Sequence, residues 1–215
     1  MANISYITDR VWTGGDLPSD LGDEAMLTDL AQIQNAGITH ILDNRIEWSD
    51  ERFVRAHAPQ LGFLWNGADD AGQVMPDDWF DAGVGFALQA LADPDAQILA
   101  HCHMGINRGP SMAFAILLAT GMDPVAALAA IRAARPIAAI SYDGDALHWW
   151  HRMSGTPASV VKRQHAEVAA WHGNNPLDFD RIIRAMRSHE DNGSLDFSSD
   201  ERVPKIQMCP PLDRP

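Results

Sequence analysis

The sequence predicts an α/β fold in which helices cover a central sheet. Three observations carry this. Over the first 155 residues, short apolar runs alternate with longer segments of helical periodicity. The short runs are bounded by Gly, Pro and Asp, as buried strands are. The longer segments end on helix stop signals, Gly37, Asp93-Pro94, Gly121, Pro136 and Gly155.

Ile4–Ile7 and Val11–Thr13 read as strands, with Gly14-Gly15 ending the second and Leu17–Asp20 a loop. Ala25, Leu27, Leu30, Ile33 and Ala36 recur at helical spacing. Ile38–Leu42 and Phe63–Trp65 are further strands, separated by a short helix that Ser49-Asp50 can cap. Residues 67–73 form a Gly-flanked loop. Pro76 suits the first turn of a helix, with Asp77 and Asp78 near its positive end. Trp79, Ala82, Gly83, Phe86, Ala90 and Leu91 make its apolar stripe. Ile98–Ala100 is a buried strand and Pro110–Leu118 a helix. Asp123-Pro124 opens a helix over 125–134, and 144–153 forms another. After Thr156-Pro157 the pattern is helical only, at about 157–172 and 178–188. From His189 the chain is polar and Pro-rich, and is expected to be poorly ordered or draped over the rest. The organisation is therefore 1–155 as the main unit, 156–188 as a helical extension packed on it, and 189–215 as a tail.

At 215 residues the chain can bury a sizeable core without disulfide or metal. Two cysteines, Cys102 in an apolar run and Cys209 in the tail, make no disulfide framework and point to a reducing, cytoplasmic setting. The opening Met1–Ser5 has neither a basic nor an apolar leader region, and the longest apolar run, Met112–Thr120, is too short to cross a bilayer. A net charge of −13 argues against nucleic acid or an anionic membrane as partner. Its position matters. Residues 1–100 hold 4 Lys+Arg and 17 Asp+Glu, while residues 101–215 hold 12 of each. A single phosphate can be captured in the neutral half by local geometry.

That geometry is encoded in His101-Cys102-His103-Met104-Gly105-Ile106-Asn107-Arg108-Gly109-Pro110-Ser111. A Cys ends a buried strand, five residues form a loop, and an Arg opens a helix. Amides of such a loop converge on one point, where the helix dipole adds positive potential. Gly105 lets the loop curl close to a ligand. Arg108 can grip two phosphate oxygens at once. The same field favours the thiolate of Cys102, which can attack phosphorus and form a phosphocysteine. His101 is expected to hydrogen-bond nearby backbone and hold the cysteine. Ile106 and Asn107 line the loop.

His-Cys, five residues, then Arg resembles the signature of the cysteine-dependent protein tyrosine phosphatase superfamily; a four-residue gap would resemble a sulfurtransferase loop. Further segments look like dual-specificity phosphatase landmarks. They are Gly14-Gly15, Ala36–Leu42, Trp79-Phe80 and Gly121–Leu128, and the resemblance spans roughly residues 4–153. It implies a central mixed sheet with helices on both faces and the cysteine loop at the floor of the site. It also implies a general acid about thirty residues before the Cys. Matching Trp79-Phe80 and the Ala-rich helix to the family pattern places Asp70 in that role, with Asp69 as fallback. Most members carry Ser or Thr directly after the Arg, where a hydroxyl stabilises the departing cysteine. This chain has Gly109, and Ser111 two residues on is not an obvious replacement. A missing hydrogen bond to a charged group is worth ~1.5–3 kcal/mol, so phosphocysteine breakdown is expected to be slow relative to its formation.

The function implied is hydrolysis of phosphomonoesters, on phosphorylated protein (tyrosine, and serine or threonine) or on a small aryl phosphate. Two alternatives stand beside it: a non-catalytic phosphate-recognition module, for which Gly109 is the support, and a sulfurtransferase, which the loop length disfavours. The loop carries His103 and no Lys, which argues against phosphoinositides. No cofactor or metal is expected. His148 and His151, three apart on a helix, could supply two ligands, but an ordinary packed or exposed helix face is the better reading of the pair. Trp149, Trp150 and Trp171 read as packing between the core and the C-terminal helices. Oligomeric state is left open.

Overall fold

A computed structural model of the chain describes residues 2–192. Five strands form one sheet in the order β1-β2-β5-β3-β4. They are β1 (Ile4–Tyr6), β2 (Val11–Gly14), β3 (His40–Arg45), β4 (Gly62–Ala68) and β5 (Ile98–His101). β1 and β2 form an antiparallel hairpin, and every other pairing is parallel. The sheet is mixed, as the resemblance implied.

Helices cover both faces, because the parallel strands are apolar on both sides. α1 (Asp23–Asn35) and α2 (Glu51–His57) cover one face. There Leu30, Ile33 and Val54 pack on Ile41, Phe63 and Leu99. α3 (Asp77–Leu91), α4 (Arg108–Ala119), α5 (Pro124–Ala134) and α6 (Asp143–Ser154) cover the other. There Trp79, Phe80, Met112, Phe114 and Ile116 meet Leu42, Ile98 and Ala100. The predicted stops act as expected. Gly37, Gly121 and Gly155 take positive φ after α1, α4 and α6, and Asp123 caps α5 by accepting from the amides of Val125 and Ala126.

Two local expectations need correction. β3 does not stop at Leu42 but runs on through Asp43, Asn44 and Arg45, all fully buried. Arg45 pairs with Asp16 (2.9 Å), Asp43 (2.8 Å) and Asp50 (2.6 Å), which makes a charged strand end tolerable in the interior. Burial works against the Arg45 charge, but the carboxylates outweigh it and hold the guanidinium above its ordinary range. Asp50 therefore faces Arg45 and does not cap α2 with its side chain. Ser49 Oγ accepts the Glu51 amide instead (3.1 Å).

α7 (Ala158–Asn174) and α8 (Phe179–Asn192) follow. Val168 of α7 joins the larger core cluster, and Trp150 and Trp171 pack against it; Trp149 stacks on Phe80. Burial, then the neighbouring His148 and His151, hold the His165 imidazole of α7 below its usual range. Ile182 and Ala185 of α8 pack on Ile137, with Ile106 of the cysteine loop alongside. α8 extends four residues beyond 188, where the helical pattern was expected to end. The rest of the expected tail, Cys209 included, lies outside the described residues. Among the described residues, no helix is long and apolar enough to cross a membrane.

Candidate active site

β5, the central strand, delivers Cys102 just beyond its C-terminal end, where its amide donates to the Gly14 carbonyl (3.3 Å) and the residue is buried. The loop beyond is held from outside by its carbonyls. His103 O accepts from the Asp16 amide (3.0 Å), and Ile106 O from the Ala139 amide (2.7 Å). Met104 O and Gly105 O accept from the Arg135 guanidinium (2.7 and 2.6 Å). In a trans peptide the C=O and the next N–H point in opposite directions. Carbonyls turned outward therefore turn the amides of Met104, Gly105, Ile106 and Asn107 inward, and these find no acceptor among the described residues. The result is a ring of donors at the N-terminus of α4, suited to an anion.

Gly105 has φ +63, and a Cβ there would meet the Gly14 backbone at 2.5 Å and Arg135 at 2.6 Å. Its freedom serves a close approach to the hairpin and to Arg135, in addition to the expected curl. Arg135, the C-cap of α5, is fully buried and also reaches Asn3 Oδ1 (2.8 Å) and Ser5 Oγ (3.1 Å). Burial pushes its guanidinium down to about 10, with Cys102 opposing, so it remains charged at neutral pH.

Arg108 opens α4 and is buried. Its Nη1 and Nη2 donate to the two carboxylate oxygens of Glu47, each at 2.8 Å, and Nη1 also donates to Ala68 O (2.8 Å). Its Nε makes no hydrogen bond among the described residues and lies 3.6 Å from Asp70 Oδ2. Burial disfavours the Arg108 charge, but Glu47, Cys102 and Asp70 outweigh it and hold the pKa above its ordinary range. The hydrogen bond from Arg108 in turn holds Glu47 below its own.

Asp70 sits on the β4–α3 loop and is brought onto the cysteine loop. Its Oδ1 accepts from Asn107 Nδ2 (2.7 Å) and from the Tyr142 hydroxyl (2.9 Å). Burial, then the Asp70 carboxylate, pushes the Tyr142 phenol up to about 12. Asp69 turns its carboxylate to the Asp70 amide (2.8 Å). Asn107, a loop-lining residue by sequence, is a hub. Its Oδ1 also accepts from the Ser141 amide (2.6 Å) and from Ser111 Oγ (3.4 Å).

His101 does not do what its position suggested. Its imidazole points into the Arg45 cluster, Nε2 3.8 Å from Asp43 Oδ1, and Nδ1 has no partner among the described residues. Only its backbone carbonyl is used locally, accepting from Asn44 Nδ2 (3.0 Å). The reason is register: β5 residues alternate faces, and His101 faces the buried charges at the end of β3. Asp43, Asp50 and His101 have metal-ligating atoms within 4.8 Å of one another, but both carboxylates are already bound by Arg45. His103 borders the same charged cluster through Asp16, whose Oδ2 also pairs with Arg45. Its Nδ1 bonds Asp16 Oδ2 (2.8 Å), which raises its pKa against the effect of burial, and its ring meets Trp48 edge-on at 5.1 Å.

Gly109 lies against β5: a Cβ would sit 3.0 Å from Ala100 O and from His101 backbone atoms. Ser111 Oγ is occupied by Asn107 and by the Tyr142 amide (3.3 Å). Sequence reasoning missed Glu47, Arg135, Asp16 and Tyr142. Each comes from a segment with no motif of its own.

No protein-family model matches the chain. Among curated proteins it is similar to dual specificity protein phosphatase 26 of Mus musculus and of Homo sapiens, each 29% identical over 113 residues. The match covers 51% of this chain and 50% of theirs, so the chain spans about half the length of these relatives. Among solved structures it resembles PTPMT1 in complex with PI(5)P (TM-score 0.57, 16% identity, 71% of this chain and 97% of that one). It also resembles DUSP15 (0.54, 19%, 76% and 95%). A mouse dual specificity phosphatase complexed with zinc tungstate is a third neighbour (0.56, 15%, 75% and 92%). The chain thus shares the fold of these phosphatase structures, and over about half its length its sequence is similar to dual specificity protein phosphatases.

Proposed function

We propose that the protein hydrolyses phosphomonoesters through a phosphocysteine on Cys102. The observation that carries this reading is Asp70. It comes from a separate loop, yet hydrogen-bonds to Asn107 and lies 3.6 Å from Arg108. A carboxyl group stationed there suits a leaving group, whereas a phosphate-recognition module needs none.

In the first step the Cys102 sulfur attacks phosphorus from the floor of the loop. The P–O bond to the leaving group breaks, and Asp70 gives that oxygen its proton. The loop amides and Arg108 hold the three remaining phosphoryl oxygens, stabilising the charge as it spreads. In the second step Asp70, now a carboxylate, takes a proton from water. That water attacks the phosphocysteine, and the sulfur leaves. Glu47 takes both terminal nitrogens of Arg108, which fixes the guanidinium plane and directs Nε toward the loop.

Phosphotyrosine, phosphoserine or phosphothreonine in a protein, or a small aryl phosphate, is the substrate class this reading favours, in a cytoplasmic setting. The absence of Lys between Cys102 and Arg108 favours a singly phosphorylated group over a multiply charged head group. The acidic first half favours neutral or basic flanking sequence. The reading is tested by hydrolysis of an aryl phosphate in reducing, metal-free buffer. Turnover abolished by Cys102→Ser supports it; turnover that survives this change overturns it.

A further inference from the structure

The seam between α6 and α7 holds, apart from His172, which bonds Asp143, a group of three imidazoles in mutual contact for which the phosphatase reading has no use. His148 and His151 lie three residues apart on α6, so they share a face. His165 of α7 meets both, with ring centroids 4.4 Å from His148 and 5.3 Å from His151. The third histidine comes from a different helix, and this changes the weight of the pair seen in the sequence.

The nitrogens sort cleanly. His148 Nδ1 lies 3.2 Å from the Gly144 carbonyl and must donate to it, which leaves a lone pair on Nε2. His151 Nε2 donates to Gln164 Oε1 (2.7 Å), which leaves a lone pair on Nδ1. That Nδ1 is buried with no partner among the described residues, and so is His165 Nε2. His151 is only 6% exposed, and an unpaired nitrogen at such a site is costly. One nitrogen anchored to a carbonyl oxygen and the other left open is the arrangement that metal-ligating histidines show.

We propose that His148, His151 and His165 bind one divalent transition-metal ion, zinc(II) in the first instance, and that the ion staples α7 onto α6. Three imidazoles suit zinc and leave a fourth position for water. The donor nitrogens are not yet at ligand spacing. His148 is exposed and free to swing inward, so binding includes its rotation. The strongly acidic chain attracts cations in general, and this is the place where neutral donors converge. The proposal is independent of the phosphatase reading.

The test uses the full-length protein carrying Cys102→Ser and Cys209→Ser, which removes both thiols as competing ligands. It is freed of metal by chelation and titrated with zinc chloride by calorimetry and with cobalt(II) by visible absorption. One equivalent of each metal is expected, with a tetrahedral cobalt spectrum lacking thiolate bands and a rise in melting temperature on adding zinc. His148→Ala and His165→Ala should each weaken binding at least ~ten-fold, the lower bound known for disturbing even an outer partner of a ligand. If His165→Ala unfolds, the exposed His148→Ala decides alone. No saturable binding, or affinity unchanged by His148→Ala, overturns the proposal.

Discussion

Arg135 donates to two successive carbonyls of the cysteine loop, from Nε to Gly105 (2.6 Å) and from Nη2 to Met104 (2.7 Å). Through Asn3 and Ser5 the same guanidinium ties the loop to the first strand. Loop shape is therefore set from beneath, by a residue about thirty positions further along the chain. Arg135→Lys keeps a charge but cannot reproduce the planar fork. Breaking a buried, hydrogen-bonded charge costs ~3–5 kcal/mol. We predict a melting temperature lower by several degrees. The fall in kcat/KM should be at least ten-fold and carried by kcat, since the loop amides act most strongly on the transition state. A variant with wild-type kcat and lowered stability would show that the brace is structural only.

Tyr142 offers a finer probe, because its hydroxyl donates to the Asp70 carboxylate (2.9 Å) and its other contacts, Gly72 and Gln73, lie on the same loop. Tyr142→Phe removes the bond to Asp70, worth ~0.5–1.5 kcal/mol, together with the longer contacts to Gly72 and Gln73, and leaves the packing of the ring intact. Its effect should depend on the leaving group. Alkyl phosphates, which need protonation, should lose roughly three- to ten-fold in kcat/KM, while an activated nitrophenyl phosphate should lose less. Equal loss on both would mean that Tyr142 positions the loop and not the acid.

His103 carries a pH signature. Its pKa is raised in the folded protein by Asp16. A raised pKa means that the imidazolium–carboxylate pair contributes its full stability below the unfolded value of ~6.5 and loses it as pH rises through the folded value. His103→Gln should therefore lower the melting temperature at pH 6 and matter progressively less towards pH 8.5. The His103 side chain is 40% exposed, so the difference is small and should shrink in high salt. A deficit that grows with pH would contradict the assignment.

Gly109 lacks the hydroxyl that would stabilise the departing Cys102. Rapid mixing with an aryl phosphate should give a burst of leaving group followed by slower steady-state turnover. Adding the hydroxyl is not free, because a Cβ at 109 stands 3.0 Å from the β5 backbone and α4 must give by a few tenths of an ångström. Gly109→Ala carries the same crowding without the oxygen. Gly109→Ser should exceed Gly109→Ala in steady-state rate by roughly one to two decades. Equal rates, or no burst in the unaltered protein, would remove the idea.

The parts of this site that the sequence disclosed are those written in local chemistry. A Cys after an apolar strand, a glycine in the loop and an Arg at a helix start are neighbours in the chain, and they are neighbours in space. Asp123, Gly121 and Gly155 are legible for the same reason: caps and stops act within a turn. Asp43-Asn44-Arg45 was hidden because three polar residues in a row resemble a loop. Their burial depends on Asp16 and Asp50, which no short-range pattern links to them. Glu47 and Arg135 were hidden likewise, since each acts on the cysteine loop across a long stretch of chain. His101 was assigned the wrong neighbours because side-chain direction follows from the pairing of β5 with β3, which the sequence alone left undetermined.

If the protein turns over phosphomonoesters as proposed, the phosphoryl group passes through Cys102. Acid-quenching the protein during turnover of an aryl phosphate, followed by peptide mass spectrometry, tests this directly. One phosphoryl group is expected on the Cys102 peptide, prominent because Gly109 slows its loss, and none in Cys102→Ser. Steady turnover with Cys102 unmodified at every quench time, or turnover undiminished in Cys102→Ser, would contradict it.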